Sequence, residues 1–247
     1  MADRFDPRMT GARQPGSFGT EAGRPAAYDA GLRSYMLSIY NYMASAVLLT
    51  GVVAMLFARS GMAEQIFLSG SLLAWVIILS PLAIVFAMSF GQQRMSTGTL
   101  QALFWGFAVL MGLSMSTIFL IYTGESIALA FFSTAAAFAG LSLWGYTTKK
   151  DLSAFGTFLI MGVVGLIVAS LINIFVGSSV LSLAISVLGV LIFAGLTAYD
   201  TQKLKSLYAH VAGTDMIGKV VIMGALSLYL DFINMFQFLL SLMGNRN

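Results

Sequence analysis

Cysteine is absent from this chain, histidine occurs once, and charged residues fill only 9% of its 247 positions. Without cysteine there is no disulfide, no thiol nucleophile and no thiolate metal site. Soluble domains carry about 25% charged residues, so the scarcity of charge, beside 58% hydrophobic residues, reads as a polytopic membrane protein. The formal net charge of +3 is too small to suggest nucleic-acid binding.

What the chain does have is long apolar runs. Seven are visible, at approximately 36–58, 66–90, 100–122, 126–146, 155–176, 180–199 and 220–243. Each is near the roughly 20 residues that cross about 30 Å of hydrocarbon as an α-helix. The linkers are short, no internal repeat is visible, and composition does not break after residue 35. The expected fold is an all-α membrane domain of seven transmembrane helices over residues 36–243. Lys and Arg set its orientation. With the N-terminus in the cytosol, Arg4, Arg8, Arg13, Arg24, Arg33, Arg94, Lys149, Lys150, Lys203, Lys205 and Lys219 lie inside, 11 of the 13 basic residues, and only Arg59 and Arg246 lie outside. That asymmetry follows the positive-inside rule. Residues 1–35, rich in Gly, Pro and Arg, read as a disordered cytosolic tail. Asp3, Asp6, Glu21 and Asp29 argue against a mitochondrial transit peptide, and the first apolar run is too long for a cleavable signal.

The chemistry-bearing feature is Asp231, in the middle of the last apolar run. A carboxylate at mid-bilayer costs roughly 2.5–3.5 kcal/mol on insertion scales and persists only beside a partner or a water path. Ser227, Asp231 and Asn234 are spaced by four and three residues, so they share one helix face, and Gln237 continues it. A polar stripe on an apolar helix must face the bundle, which makes the last helix central. For Ser227 and Asn234, hydrogen bonds that merely join helices are an equal reading; an ionisable group is a costly way to obtain such glue. Asp200 closes the preceding apolar run and reads as an interfacial acid when taken alone. A helix entering the membrane at Val220 buries Asp231 by about 17 Å, whereas Asp200 stays at the surface. The two meet only if helix six tilts or ends below the headgroups, or if helix seven starts in the cytosol, which apolar Met216 to Val221 permits.

Arg94, in the Gly91-Gln92-Gln93-Arg94 linker, is either a positive-inside anchor or a guanidinium that caps the aspartates. Gly162, Gly165, Ala169 and Asn173 line one face of helix five and suggest close packing with a polar contact at its end. His210 falls in the last cytosolic linker, where it is solvated or pH-responsive. Lys149-Lys150-Asp151 reads as an anchor with a helix cap, and Glu125 as a polar turn or a cation-attracting pore mouth.

Leu226-Ser227-Leu228-Tyr229-Leu230-Asp231-Phe232-Ile233-Asn234 resembles the last-helix signature of the Bax inhibitor family, the transmembrane Bax-inhibitor-motif and bacterial YccA-type proteins. Tyr199-Asp200 is similar to its acid at the end of helix six, and Lys149-Lys150-Asp151-Leu152 to its loop between helices four and five. The likeness covers roughly residues 35–243. It implies six helices wrapped around a central C-terminal helix. It also implies a cation leak, chiefly for Ca2+, in a bacterial inner membrane or its equivalent, with no cofactor. A hydrogen-bonded aspartate pair senses pH in such proteins; by position it is Asp200 and Asp231, which would also meet the metal ion. Arg94 falls where bacterial relatives carry a latching arginine, and Ser227 and Asn234 would line the pore. The second-helix acid of some bacterial relatives has no counterpart in Ser80 to Phe90.

The implied mechanism rests on coupled titration. Two carboxylates in contact at low dielectric cannot both ionise cheaply, so they share a proton. Its loss makes them repel and frees oxygen ligands for a hard cation. Helix seven then shifts against helix six, a two-state element biased by protons and Ca2+. An intramembrane aspartyl protease shares the Tyr-Asp context, but its Gly-x-Gly-Asp and Pro-Ala-Leu motifs are missing here, so no enzyme activity is expected. A third reading is an interaction protein, since bacterial relatives are associated with the membrane protease FtsH and eukaryotic ones with cell-death regulators. A retinal protein is excluded because helix seven has no interior lysine; Lys219 lies at its boundary.

Overall fold

The structure is a computed structural model that describes residues 23–246. Among the described residues nine helices form: α1 (Gly23–Arg59), α2 (Met62–Leu68), α3 (Leu72–Gly91), α4 (Thr97–Met115), α5 (Ile118–Ile121), α6 (Gly124–Thr147), α7 (Ser153–Val176), α8 (Ser179–Val211) and α9 (Ile217–Met243). Seven spans are long and apolar enough to cross a membrane, with α4 and α5 forming one of them and α2 a short connector. Helix starts follow local chemistry. The side chains of Ser71, Ser96, Thr123 and Ser178 each accept the backbone N–H three residues on, at 3.1–3.4 Å, which satisfies a donor the first turn leaves open. Helix α7 ends at Gly177, whose φ of 64° is the left-handed conformation that favours glycine at this position.

Three boundaries differ from the sequence reading. Residues 1–22 of the expected disordered tail lie outside the described residues, but 23–35 belong to α1. Leu32 and Tyr35 are buried, and Tyr28 and Tyr35 both stack on Tyr208 of α8, with ring centroids 5.1 and 5.2 Å apart. The second span starts at Leu72 rather than 66, because Gly70 turns the chain at φ 64° after α2. The sixth helix does not stop near Asp200 but runs on to Val211.

The centre of the bundle is α9. In its most apolar stretch 67% of residues are buried inside the protein, against 11–33% for the other six spans, so it is the innermost span. Its main neighbours are α8, α1, α6 and α4, while α3 packs on α4 and α7 on α8 at the two flanks. Small residues allow close approach, as membrane helix interfaces require. A Cβ at Gly145 of α6 would fall on the Ala198 carbonyl of α8, and one at Gly189 of α8 would meet the Phe238 ring of α9. Gly162 packs on Ile192 as its helix face predicts, but Gly165 has open space around it. Pro81, inside α3, has no N–H to give the Ile77 carbonyl; Ser80 Oγ donates to that carbonyl instead, at 3.0 Å.

The last described residues form a strap. Thr123 N–H donates to the Asn245 carbonyl (3.1 Å) and Asn245 N–H to Ser126 Oγ (2.9 Å). Arg246 pairs with Tyr122 in an isolated antiparallel bridge and sets its guanidinium 5.9 Å from the Tyr122 ring centroid.

Candidate functional site: two aspartates between α8 and α9

Because α8 and α9 form an antiparallel hairpin joined by 212–216, depth is set by distance from that turn. Asp200 lies 11 residues before the end of α8, about 17 Å along the axis, and Asp231 lies 14 residues after the start of α9, about 21 Å. The acids are therefore nearly level, which the apolar run ending at Tyr199 had obscured. Helix α9 begins at Ile217, so the early start that Met216 to Val221 permits is realised, and the extension of α8 matches it.

Asp231 is buried, 4% exposed, and its Oδ2 has no hydrogen-bond partner among the described residues. Asp200 is half-buried. The two carboxylates lie near each other, but among the described residues no hydrogen bond joins them, and the exposed Lys203 lies near both without an ion pair to either. Lys203 is three residues past Asp200 on α8, hence on the same side of the helix, and lies 5.8 Å from the Tyr199 ring centroid. Arg94 is placed elsewhere: it is exposed in the turn between α3 and α4, and among the described residues no ion pair joins it to either aspartate. The link from that turn to α9 is made by Lys219, whose Nζ donates to the Gln93 carbonyl at 3.3 Å.

Ser227 and Asn234 are half-buried on α9. The Asn234 amide donates back to the Leu230 carbonyl of its own helix at 2.8 Å. Gln237, further along, is exposed and lines two clefts: one beside Ser114 and Thr117, the other beside Asn173, Ser182, Ser186 and Ser241. The polar track therefore runs from Asp231 towards the end of the bundle that carries the strap. Asn173 Oδ1 accepts the Ser178 N–H at 3.1 Å, so its polar contact lies within the α7–α8 turn.

Two polar clusters brace the aspartates. Thr201, next to Asp200, donates to Ser142 of α6 and shares a bond with the Tyr40 hydroxyl of α1, both at 3.4 Å. Gln202 clamps the 148–152 loop: its Oε1 accepts the Leu152 N–H (2.9 Å) and its Nε2 donates to the Lys150 carbonyl (2.8 Å). Neither was legible in the sequence, since both join residues about 50 or more apart. Asp151 precedes the N-cap position Leu152, and its Oδ1 accepts the N–H of Ser153, the first residue of α7, at 2.9 Å. His210 is exposed, and Glu125 sits exposed in the first turn of α6, where the helix dipole favours it.

Among the described residues no group of three or more His, Cys, Asp or Glu could hold a metal ion. Ca2+ takes six to eight oxygens, so a cation at Asp200 and Asp231 would draw most ligands from hydroxyls, carbonyls and water.

The family model described as "Inhibitor of apoptosis-promoting Bax1" matches residues 32–247, which contain the whole aspartate hairpin. The chain belongs to the Bax inhibitor family. Its relatives in this family match it nearly end to end. A protein of Rickettsia prowazekii (strain Madrid E) is 47% identical over 229 residues, 92% of this chain and 96% of its own length. One from Caulobacter vibrioides is 48% identical over 227 residues, 87% and 90% of the two chains. Inner membrane protein YbhL of Escherichia coli (strain K12) is 43% identical over 219 residues, 88% of this chain and 94% of its own. This Bax inhibitor family protein is thus an integral membrane protein.

Proposed function

We propose that this protein is a pH-sensitive cation leak, chiefly for Ca2+, in which Asp200 and Asp231 act as one proton and cation sensor. The observation that carries the reading is a buried carboxylate on the central helix, its Oδ2 without a hydrogen-bond partner among the described residues, level with a second acid on the neighbouring helix. Two such groups hold a shared proton, and its loss sets them against each other and opens oxygen ligands to a cation. Lys203, three residues past Asp200 on α8, is the cation placed to temper that repulsion. Ser227 and Asn234 border the path along α9.

The orientation that fits is a cytosolic N-terminus in a bacterial inner membrane. The basic residues of the α3–α4 and α6–α7 turns and of the α8–α9 hairpin end lie at the start of α1, whereas Arg59 and Arg246 lie at the other end. A cysteine introduced at Ser17 should label from the cytosolic side and one at Asn247 from the outer side; the reverse pattern would remove this orientation, and labelling of both from one side would remove the seven-span model.

The decisive experiment is Ca2+ efflux from proteoliposomes of the purified protein across a pH series. Asp231→Asn keeps shape and hydrogen bonding but deletes one proton site, so efflux should lose its steep pH dependence. Asp200→Asn should do the same, and the double variant should be no worse than either single one, because groups that act as a unit are non-additive. Additive effects, or unchanged pH profiles in both single variants, would rule the sensor out.

A further inference from the structure

Helices α1 and α6 both pack on α9 and leave a crevice between them whose floor is α9. Towards the Arg59 end it widens into a cavity of about 290 Å³, bounded by Val47 and Ala54 of α1, Ile127 and Phe131 of α6, and Phe232 and Phe236 of α9. The only polar side chain in its wall is Thr50, and that hydroxyl is committed: it donates to the Ala108 carbonyl at 2.9 Å and accepts from the Tyr229 hydroxyl at 2.7 Å. A buried water needs two to four polar partners, and these side chains offer none. The cavity is many times larger than the space one water needs, yet its wall is apolar, so an apolar chain suits it and water does not.

Its mouth is continuous with the lipid-facing surface of the bundle. Phe132 in its wall is 70% exposed, and Leu48, Val52 and Leu129, each next to a lining residue in sequence, are 49–62% exposed. Other segments of this chain are poor occupants. The residues before α1 are polar and start at its far end, about 40 Å along the axis from Thr50, and Asn245 and Arg246 are held in the strap. We propose that this crevice binds one acyl chain of a membrane phospholipid, drawn from the leaflet nearer Arg59. The bound chain lies against Phe232, which also packs edge-on to Phe131 and Phe138 at 5.6 Å and directly follows Asp231 in sequence. It therefore backs the central helix beside the aspartate.

The test uses the full chain in vesicles of phosphatidylethanolamine and phosphatidylglycerol doped with a phospholipid carrying a diazirine in its acyl chain. Photolabelled peptides are mapped. Adducts should concentrate on 47–54 and 127–132, several-fold above those on Phe158 and Ile167 of α7, which are 66% and 54% exposed but line no such cavity. Gly51 lines the crevice and has nothing within 4 Å of an added Cβ, so Gly51→Phe should direct its ring into the cavity. It should cut labelling of α6 several-fold and leave α7 unchanged. Ala128→Leu, on the opposite wall, should repeat the effect if Gly51→Phe fails to fold. Even labelling of α1, α6 and α7 would mean annular lipid only, and labelling indifferent to both fillings would equally overturn the site. Protein–protein cross-links through this face would replace the acyl chain with a second copy. None of these readouts depends on ion flux, so the site and the leak stand or fall separately.

Discussion

The Tyr229 hydroxyl of α9 and the Thr50 hydroxyl of α1 share a hydrogen bond of 2.7 Å at the buried centre of the protein. Thr50 spends its own proton on the Ala108 carbonyl of α4, so Tyr229 is the donor and one threonine joins three helices. The two partners are therefore unequal. Tyr229→Phe leaves Thr50 satisfied and should cost about 0.5–1.5 kcal/mol, the net worth of a typical hydrogen bond. Thr50→Val strands a buried phenol and should cost more, about 1–3 kcal/mol. The double variant should cost less than the sum. Unfolding of the four proteins in detergent completes the cycle, and strict additivity would show that the bond does not couple the helices.

Gly145 and Gly140 lie five residues apart on α6 with opposite surroundings. A side chain at Gly145 would collide with the backbone of Ala198, which cannot turn aside, whereas Gly140 faces open space. Gly145→Ala should destabilise by about 1–3 kcal/mol through overpacking. Gly140→Ala should be neutral or stabilising by up to about 1 kcal/mol, since alanine loses less backbone entropy on folding. Thermal unfolding of the two variants side by side checks both signs, and equal shifts would mean that α6 and α8 are not in close contact at Ala198.

Lys203 and Arg94 make opposing predictions about the cation that matters to the aspartates. Lys203 lies one turn of α8 from Asp200, whereas Arg94 lies in the α3–α4 turn. Lys203→Gln should displace the pH midpoint of Ca2+ efflux, while Arg94→Ala leaves it in place. The reverse pattern would favour Arg94 as the latch.

The Asp151 carboxyl is held below the usual carboxylate range by hydrogen bonds from the Ser153 side chain and backbone N–H. A depressed folded-state pKa stabilises above the unfolded value of about 3.9 and stops doing so as pH falls through the folded one. At pH 7 Asp151→Ala should melt at a lower temperature than its parent. The gap should narrow as the pH drops below about 4. A gap independent of pH would assign the loss to packing rather than to the charge.

Much of this architecture was legible because hydrocarbon demands apolar runs of a fixed length and forces a polar stripe inwards. The seven spans and the central last helix follow from those two constraints. The end of α8 was not legible, because Lys203, Lys205 and His210 close the apolar run. Yet Thr201, Leu204, Tyr208 and Val211 are spaced by three and four residues and keep one face packed. The same period in Tyr28, Leu32, Tyr35 and Ile39 extends α1 backwards into a segment whose composition reads as disordered. Both extensions obey helical periodicity and are hidden by average hydropathy. Gln202 and the α1–α6 crevice left no local signal, since each is made by residues far apart in the chain.

The strap of Asn245 and Arg246 on Thr123, Ser126 and Tyr122 gives α9 a bearing at the end opposite its hairpin with α8. A rod seated at both ends resists sliding along its length but can still turn, and its neighbours can still roll on it. A probe coupled just beyond Arg246 would therefore report on the α5–α6 turn to which that end is tied, rather than on a loose terminus.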